Sequence, residues 1–217
     1  MDEDMMIPLV QKQSRIKVHQ EVFTEYLIRI WEDIGNPSEW VEELDTIRSA
    51  SENDVVVLDI CSDGGSLDTA MMFHRELAAS NAKTIAIIGP SCSSAASIIA
   101  LSCDEHVISE MSSLMSHTST YLIGGKDVDI HTHAMFSRKQ LVKFFKSVYS
   151  GFFDDTEIED MVKGSPFYID SEELEQRLER MYTYREQPIT VVDELHEPVD
   201  TSCLIDSCDE VFETVQH

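Results

Sequence analysis

The chain has 217 residues, of which 42% are apolar and 26% charged, a balance that fits one globular domain needing neither metal nor disulfide to fold. Forty-one acids against sixteen bases leave a net charge of −25, and so acidic a surface repels phosphate and excludes nucleic acid as an expected partner. No apolar run approaches the roughly 18 residues of a membrane span, and the acidic Met1-Asp2-Glu3-Asp4 start lacks the basic residues of a signal peptide, so no membrane contact and no leader is expected. Five cysteines at irregular spacing, with no CxxC pair, read as buried thiols of a reduced, cytoplasmic chain.

Residues 1–20 are expected to form an amino-terminal arm, residues 21–185 the folded domain, and residues 186–217 a tail. Tyr26–Ile30 reads as a strand. Pro37–Ala50 reads as a helix capped by Ser38, with Trp40, Val41, Leu44 and Ile47 at helical spacing. Val55–Ile60 is a β-branched apolar run, the pattern of a strand buried on both faces in a parallel sheet. A turn with Gly64-Gly65 follows, then a helix with Leu67, Ala70, Met71, His74 and Leu77 on one face. Thr84–Ile88 is the next strand, broken by Gly89-Pro90. Ser94–Leu101 is a small, apolar helix, and His106–Ser109 and Leu114–Ser116 are short strands. This alternation predicts an α/β fold of repeated β-α crossovers. A long helix is predicted over Asp129–Ser150, and another over Ser171–Met181. In the cluster Asp154–Asp160, Thr156 is the expected cap. From Arg185 onward nine acids face one arginine, with Pro188 and Pro198 interrupting, as in a loosely docked tail.

Three features fall at the carboxyl ends of successive strands, where α/β folds gather their active sites. They are Asp63-Gly64-Gly65, the serine-rich Gly89–Ala96 turn, and His117. A serine at a helix start can face a ligand while nearby backbone N–H groups, unpaired in the first turn, point at developing negative charge. Paired glycines on the adjacent crossover present a further N–H without a side chain in the way. A histidine then takes the serine proton and returns it to a leaving amine. Each feature alone has a plainer reading, as a turn, a helix start or a core histidine.

Taken together, the motifs resemble those of ClpP, the proteolytic subunit of the Clp proteases, within the crotonase-like superfamily. Ser62-Asp63-Gly64-Gly65-Ser66 stands for the family's S-P-G-G-S, and Leu114-Met115-Ser116-His117 for V-M-I-H. Gly89–Ala95 stands for G-x-A-A/S-S-M-G/A, a spacing that places the nucleophile at Ser93. The resemblance then implies His117 as the base and the N–H groups of Gly65 and Ser94 as oxyanion donors. Met6–Val10 is similar to the family's amino-terminal arm, and Gly124-Gly125 with the helix after it is similar to the glycine-rich strand and handle that join two rings. The family's third residue, an Asp, falls at Ser165 or Pro166, and neither is acidic. Asp160 or Asp170 could substitute only through a shifted loop.

The resemblance implies a self-compartmentalising serine endopeptidase that cuts unfolded polypeptides, a ring-forming homo-oligomer, and an ATP-driven AAA+ unfoldase as partner. With no GxxxxGK phosphate loop, the chain itself is not expected to hydrolyse ATP. No metal and no cofactor are expected. The rival readings are a catalytically impaired ring subunit and an acyl-CoA enzyme of the crotonase type, against which the acidic charge argues.

Overall fold

The computed structural model describes residues 23–120 and 124–186. All of these but Glu186 belong to one compact unit. The expected arm, and the tail beyond Glu186, lie outside the described residues.

Four parallel strands form the main sheet in the order β1-β2-β3-β4: β1 Glu25–Ile30, β2 Val55–Ser62, β3 Lys83–Cys92 and β4 Glu105–Val107. Helices α1 (Val41–Ser49), α2 (Leu67–Ala79) and α3 (Ala95–Leu101) fill the crossovers. Strands β5 (Leu114–Ser116) and β6 (Phe167–Ile169) form a separate antiparallel pair. Three helices complete the chain: α4 (Asp127–Tyr149), α5 (Asp155–Lys163) and α6 (Ser171–Glu186). The α/β class and its repeated β-α units are those expected from the sequence.

Register explains the one-sided core. Val56, Leu58 and Ile60 pair with Thr84, Ala86 and Ile88, and all six are buried. On the opposite face Val57 is buried, but Val55, Asp59, Ile85 and Ile87 are only half-covered, so the expected burial of β2 on both faces is not met. Gly89-Pro90 does not end β3. The strand bulges there and runs on to Cys92: Ile60 pairs with Ile88, but Ser62 pairs with Cys92. A bulge of this kind absorbs extra residues without ending the ladder.

Two caps differ from expectation. Before α1, Pro37–Glu39 form a separate 3-10 turn whose capping box joins Asn36 and Glu39, not Ser38. Helix α5 is capped by Asp154 in a box with Glu157, rather than by Thr156. At α5 the Asp154 carboxylate accepts Glu157 N–H while Glu157 reaches back to Asp154 N–H. At the 3-10 turn Glu39 reaches back to Asn36 N–H at 2.9 Å, and its own N–H donates to the Asn36 carbonyl.

Charged groups tie the helices together. Glu76, on the buried face of α2, takes both Arg48 Nε and Nη2 from α1 at 2.9 Å, together with Arg75. These hydrogen bonds to Arg48, against a smaller opposing effect of burial, hold the Glu76 carboxyl down at about 2. Arg185 of α6 donates to Leu101 O at 2.6 Å and Cys103 O at 3.1 Å, satisfying carbonyls at the end of α3. His106 bridges Tyr182 and Ala100 O, and burial pushes it down to about 4.

Candidate active site

The site forms where two crossovers touch. Gly64 and Gly65 adopt φ of 103° and 147°, values that L side chains rarely accept. Ile34 N–H donates to Gly64 O at 2.8 Å, and Ser66 N–H donates to Ile34 O at 2.7 Å, which pins the glycine turn to the segment after β1. A Cβ on Gly64 would fall 2.6 Å from Ser93 O and 2.7 Å from Ser94 Cβ. Glycine here is what allows the two turns to approach.

Ser94 sits at φ 57°, ψ −120°, and is the one non-glycine with positive φ among the described residues. Such a conformation costs about 1–3 kcal/mol and persists only where the surroundings impose it. They do so from both sides. Ser93 N–H donates to Ser62 O at 3.0 Å, and Ser94 N–H donates to Met115 O at 2.7 Å. The turn aims the Ser94 hydroxyl at His117, with Oγ 2.7 Å from Nε2. With the ring proton on Nδ1, Nε2 accepts the hydroxyl proton.

The structure therefore differs from the sequence expectation at two residues. His117 meets Ser94, one position beyond Ser93. The Ser94 N–H, expected as an oxyanion donor, is engaged by Met115 O. The bulge in β3 is the reason: counting from Gly89 does not track the chain's advance along the sheet. The usable signal was the helix start, because Ser94 directly precedes Ala95 and its small, buried neighbours. Gly65 lies where expected. Its N–H and that of Ala95 have no acceptor among the described residues.

The segment expected to hold the third residue also lies at the site. Ser116 pairs with Phe167, so one further step of the register sets His117 opposite Pro166. Among the described residues no Asp or Glu oxygen lies within 4.0 Å of the His117 ring nitrogens. Asp170 caps α6 by accepting Glu173 N–H, and Asp160 faces Lys163. Neither turns toward the histidine. Asp63, at the family's proline position, accepts the Ser91 hydroxyl at 2.6 Å. Cys92, two residues before Ser94, is fully buried, and burial pushes its thiol up, away from reactivity.

Among the described residues no helix is long and apolar enough to cross a membrane, and no cluster of three or more His, Cys, Asp or Glu side chains is arranged to hold a metal ion. A comparison with curated proteins finds no match. The model of the Clp protease family matches residues 10–158, a span that contains Gly64, Gly65, Ser94 and His117 and stops before Ser165. With well over half of its length matched, this chain belongs to the Clp protease family.

Proposed function

We propose that the chain is a ClpP-type serine endopeptidase subunit with Ser94 as nucleophile and His117 as general base. The observation that carries this reading is the 2.7 Å contact between the two at a strained turn. In the proposed reaction Ser94 Oγ attacks a peptide carbonyl carbon while its proton passes to His117 Nε2. The carbonyl oxygen, now negative, is received by the N–H groups of Gly65 and Ala95, each donor contributing about 3–4 kcal/mol in the transition state. Collapse breaks the C–N bond, His117 protonates the departing amine, and water then hydrolyses the acyl-enzyme by the same route. Among the described residues no acid meets the His117 ring, and there the imidazolium lacks a counter-charge. Disabling such an acid costs about 10⁴ in turnover in Ser-His-Asp enzymes, so a slow enzyme is the expectation.

Ring assembly, unfolded polypeptide substrates and an ATP-driven unfoldase partner belong to the same proposal through family membership. The amino-terminal half of α4 supports assembly, because Val128, Met135 and Phe136 are exposed on it. A fluorophosphonate probe with peptide mapping tests the chemistry. Phosphonylation of Ser94 is expected. A folded protein that takes no label would overturn the reading in favour of a catalytically impaired subunit.

A further inference from the structure

Beneath Ser94 and His117 lies a buried group of three hydroxyls from three elements. Ser97 comes from α3, Ser116 from β5 and Tyr149 from the last turn of α4, and none is more than 1% exposed. Ser97 Oγ lies 2.7 Å from Ser94 O, 3.1 Å from Ser116 Oγ and 3.1 Å from Tyr149 Oη. A hydroxyl has one proton and two lone pairs. The Ser94 carbonyl can only accept, so Ser97 donates to it. Both Ser97 lone pairs are then open to Ser116 and Tyr149, which donate. Burial pushes the Tyr149 phenol up to about 12, which keeps its proton in place.

This arrangement bears on the proposed chemistry. Ser97 grips the carbonyl of the strained Ser94. Ser116 directly precedes His117 and stands where the family motif has isoleucine. One hydroxyl group therefore ties the nucleophile's turn to the strand that carries the base, and Tyr149 closes it from α4. We infer that Tyr149 is a positioning residue, which acts through Ser97 to hold Ser94 Oγ within reach of His117 Nε2. The inference rests on the proposed function, and adds to it a control point at the inner end of α4. Hydrogen bonds inside a dry cluster polarise one another, so losing the outermost donor weakens the grip on the Ser94 carbonyl.

The test is the rate of fluorophosphonate labelling at Ser94, with kcat and KM for a fluorogenic peptide, in Tyr149→Phe, Ser97→Ala and the double variant. Tyr149→Phe keeps the ring and removes only the donor. It is expected to slow labelling and lower kcat roughly 3- to 10-fold with KM unchanged. In the Ser97→Ala background Tyr149→Phe is expected to lose most of its effect, because the direct route to Ser94 is gone and only the contact with Ser116 remains. Labelling of Tyr149→Phe at the wild-type rate, an equal loss in both backgrounds, or an effect on melting temperature alone would each overturn the positioning role. Should Tyr149→Phe fail to fold, Ser97→Ala labelling at the wild-type rate would overturn it. A wild-type protein that takes no label would instead overturn the assignment of Ser94, and this inference with it.

Discussion

The turns after β2 and β3 are neighbours in the same sheet, and each delivers a serine to a helix start. They use that serine in opposite ways. Ser66 sits in extended backbone and accepts Thr69 N–H at 3.3 Å, an ordinary cap for α2. The awkward geometry of that turn falls on Gly64 and Gly65, where it costs little. After β3 the awkward geometry falls on Ser94 itself, and its hydroxyl makes no cap for α3. It faces His117 instead. A serine that forgoes capping and tolerates positive φ is held there by the packing around it, the usual mark of a functional position.

The strongest way to break this contrast is to remove both hydroxyl roles in turn. Ser94→Ala is expected to lower peptide cleavage at least about 10³-fold and to abolish fluorophosphonate labelling. Ser93→Ala is expected to keep most of the wild-type rate. The reverse pattern in a fluorogenic peptide assay would return the nucleophile to Ser93. Gly64→Ala comes next. Its Cβ would press on Ser93 O and Ser94 Cβ at positive φ, displacing the turn by a good fraction of an ångström. A loss of roughly 10² in kcat is expected, and near wild-type turnover would show that the two crossovers do not depend on close contact.

Smaller effects sharpen the same comparison away from the chemistry. Glu76→Gln should lower stability by about 1–2 kcal/mol, because a buried charged acceptor is lost, with labelling of the folded protein unchanged. The pH dependence follows from the lowered carboxyl. Held near 2 in the fold against an ordinary 4.5, the ionised Glu76 stabilises fully above pH 4.5, and that share is lost as pH falls toward 2. Urea midpoints at pH 7, 4 and 2.5 should therefore converge between variant and wild type in acid; a constant gap would exclude the ionised pair as the source. Ser66→Ala is the mildest change, at about 1 kcal/mol for the lost cap. Calorimetry should register it with activity intact, and lost activity would erase the distinction between the two serines.

Much of this was legible in the sequence, for reasons that are local. The apolar runs of β2 and β3 and the helical spacing after each gave the crossovers. The order of Gly64-Gly65, a serine turn and His117 marked the candidate site, and the absence of an acid at Ser165 and Pro166 was visible outright. What failed needed information from across the sheet. The choice between Ser93 and Ser94 turns on a bulge that only the pairing of Ser62 with Cys92 reveals. The three residues of β6 are too few to show a period. Nothing local marks Tyr149 within its helix, because its partners Ser97 and Ser116 lie 52 and 33 residues earlier.

Ser93 and Ser94 are the whole connection between β3 and α3. Ser93 N–H belongs to the adjoining strand's ladder, and the Ser94 carbonyl already receives the first N–H groups of the helix. No hinge remains between them. Fixing a residue's backbone costs about 1–2 kcal/mol of conformational entropy, and for Ser94 that ordering is complete once the sheet and α3 have formed. Under the proposed function a substrate arriving at this serine meets a backbone that is already ordered, and the same lack of slack means that one inserted residue would turn the hydroxyl away from His117.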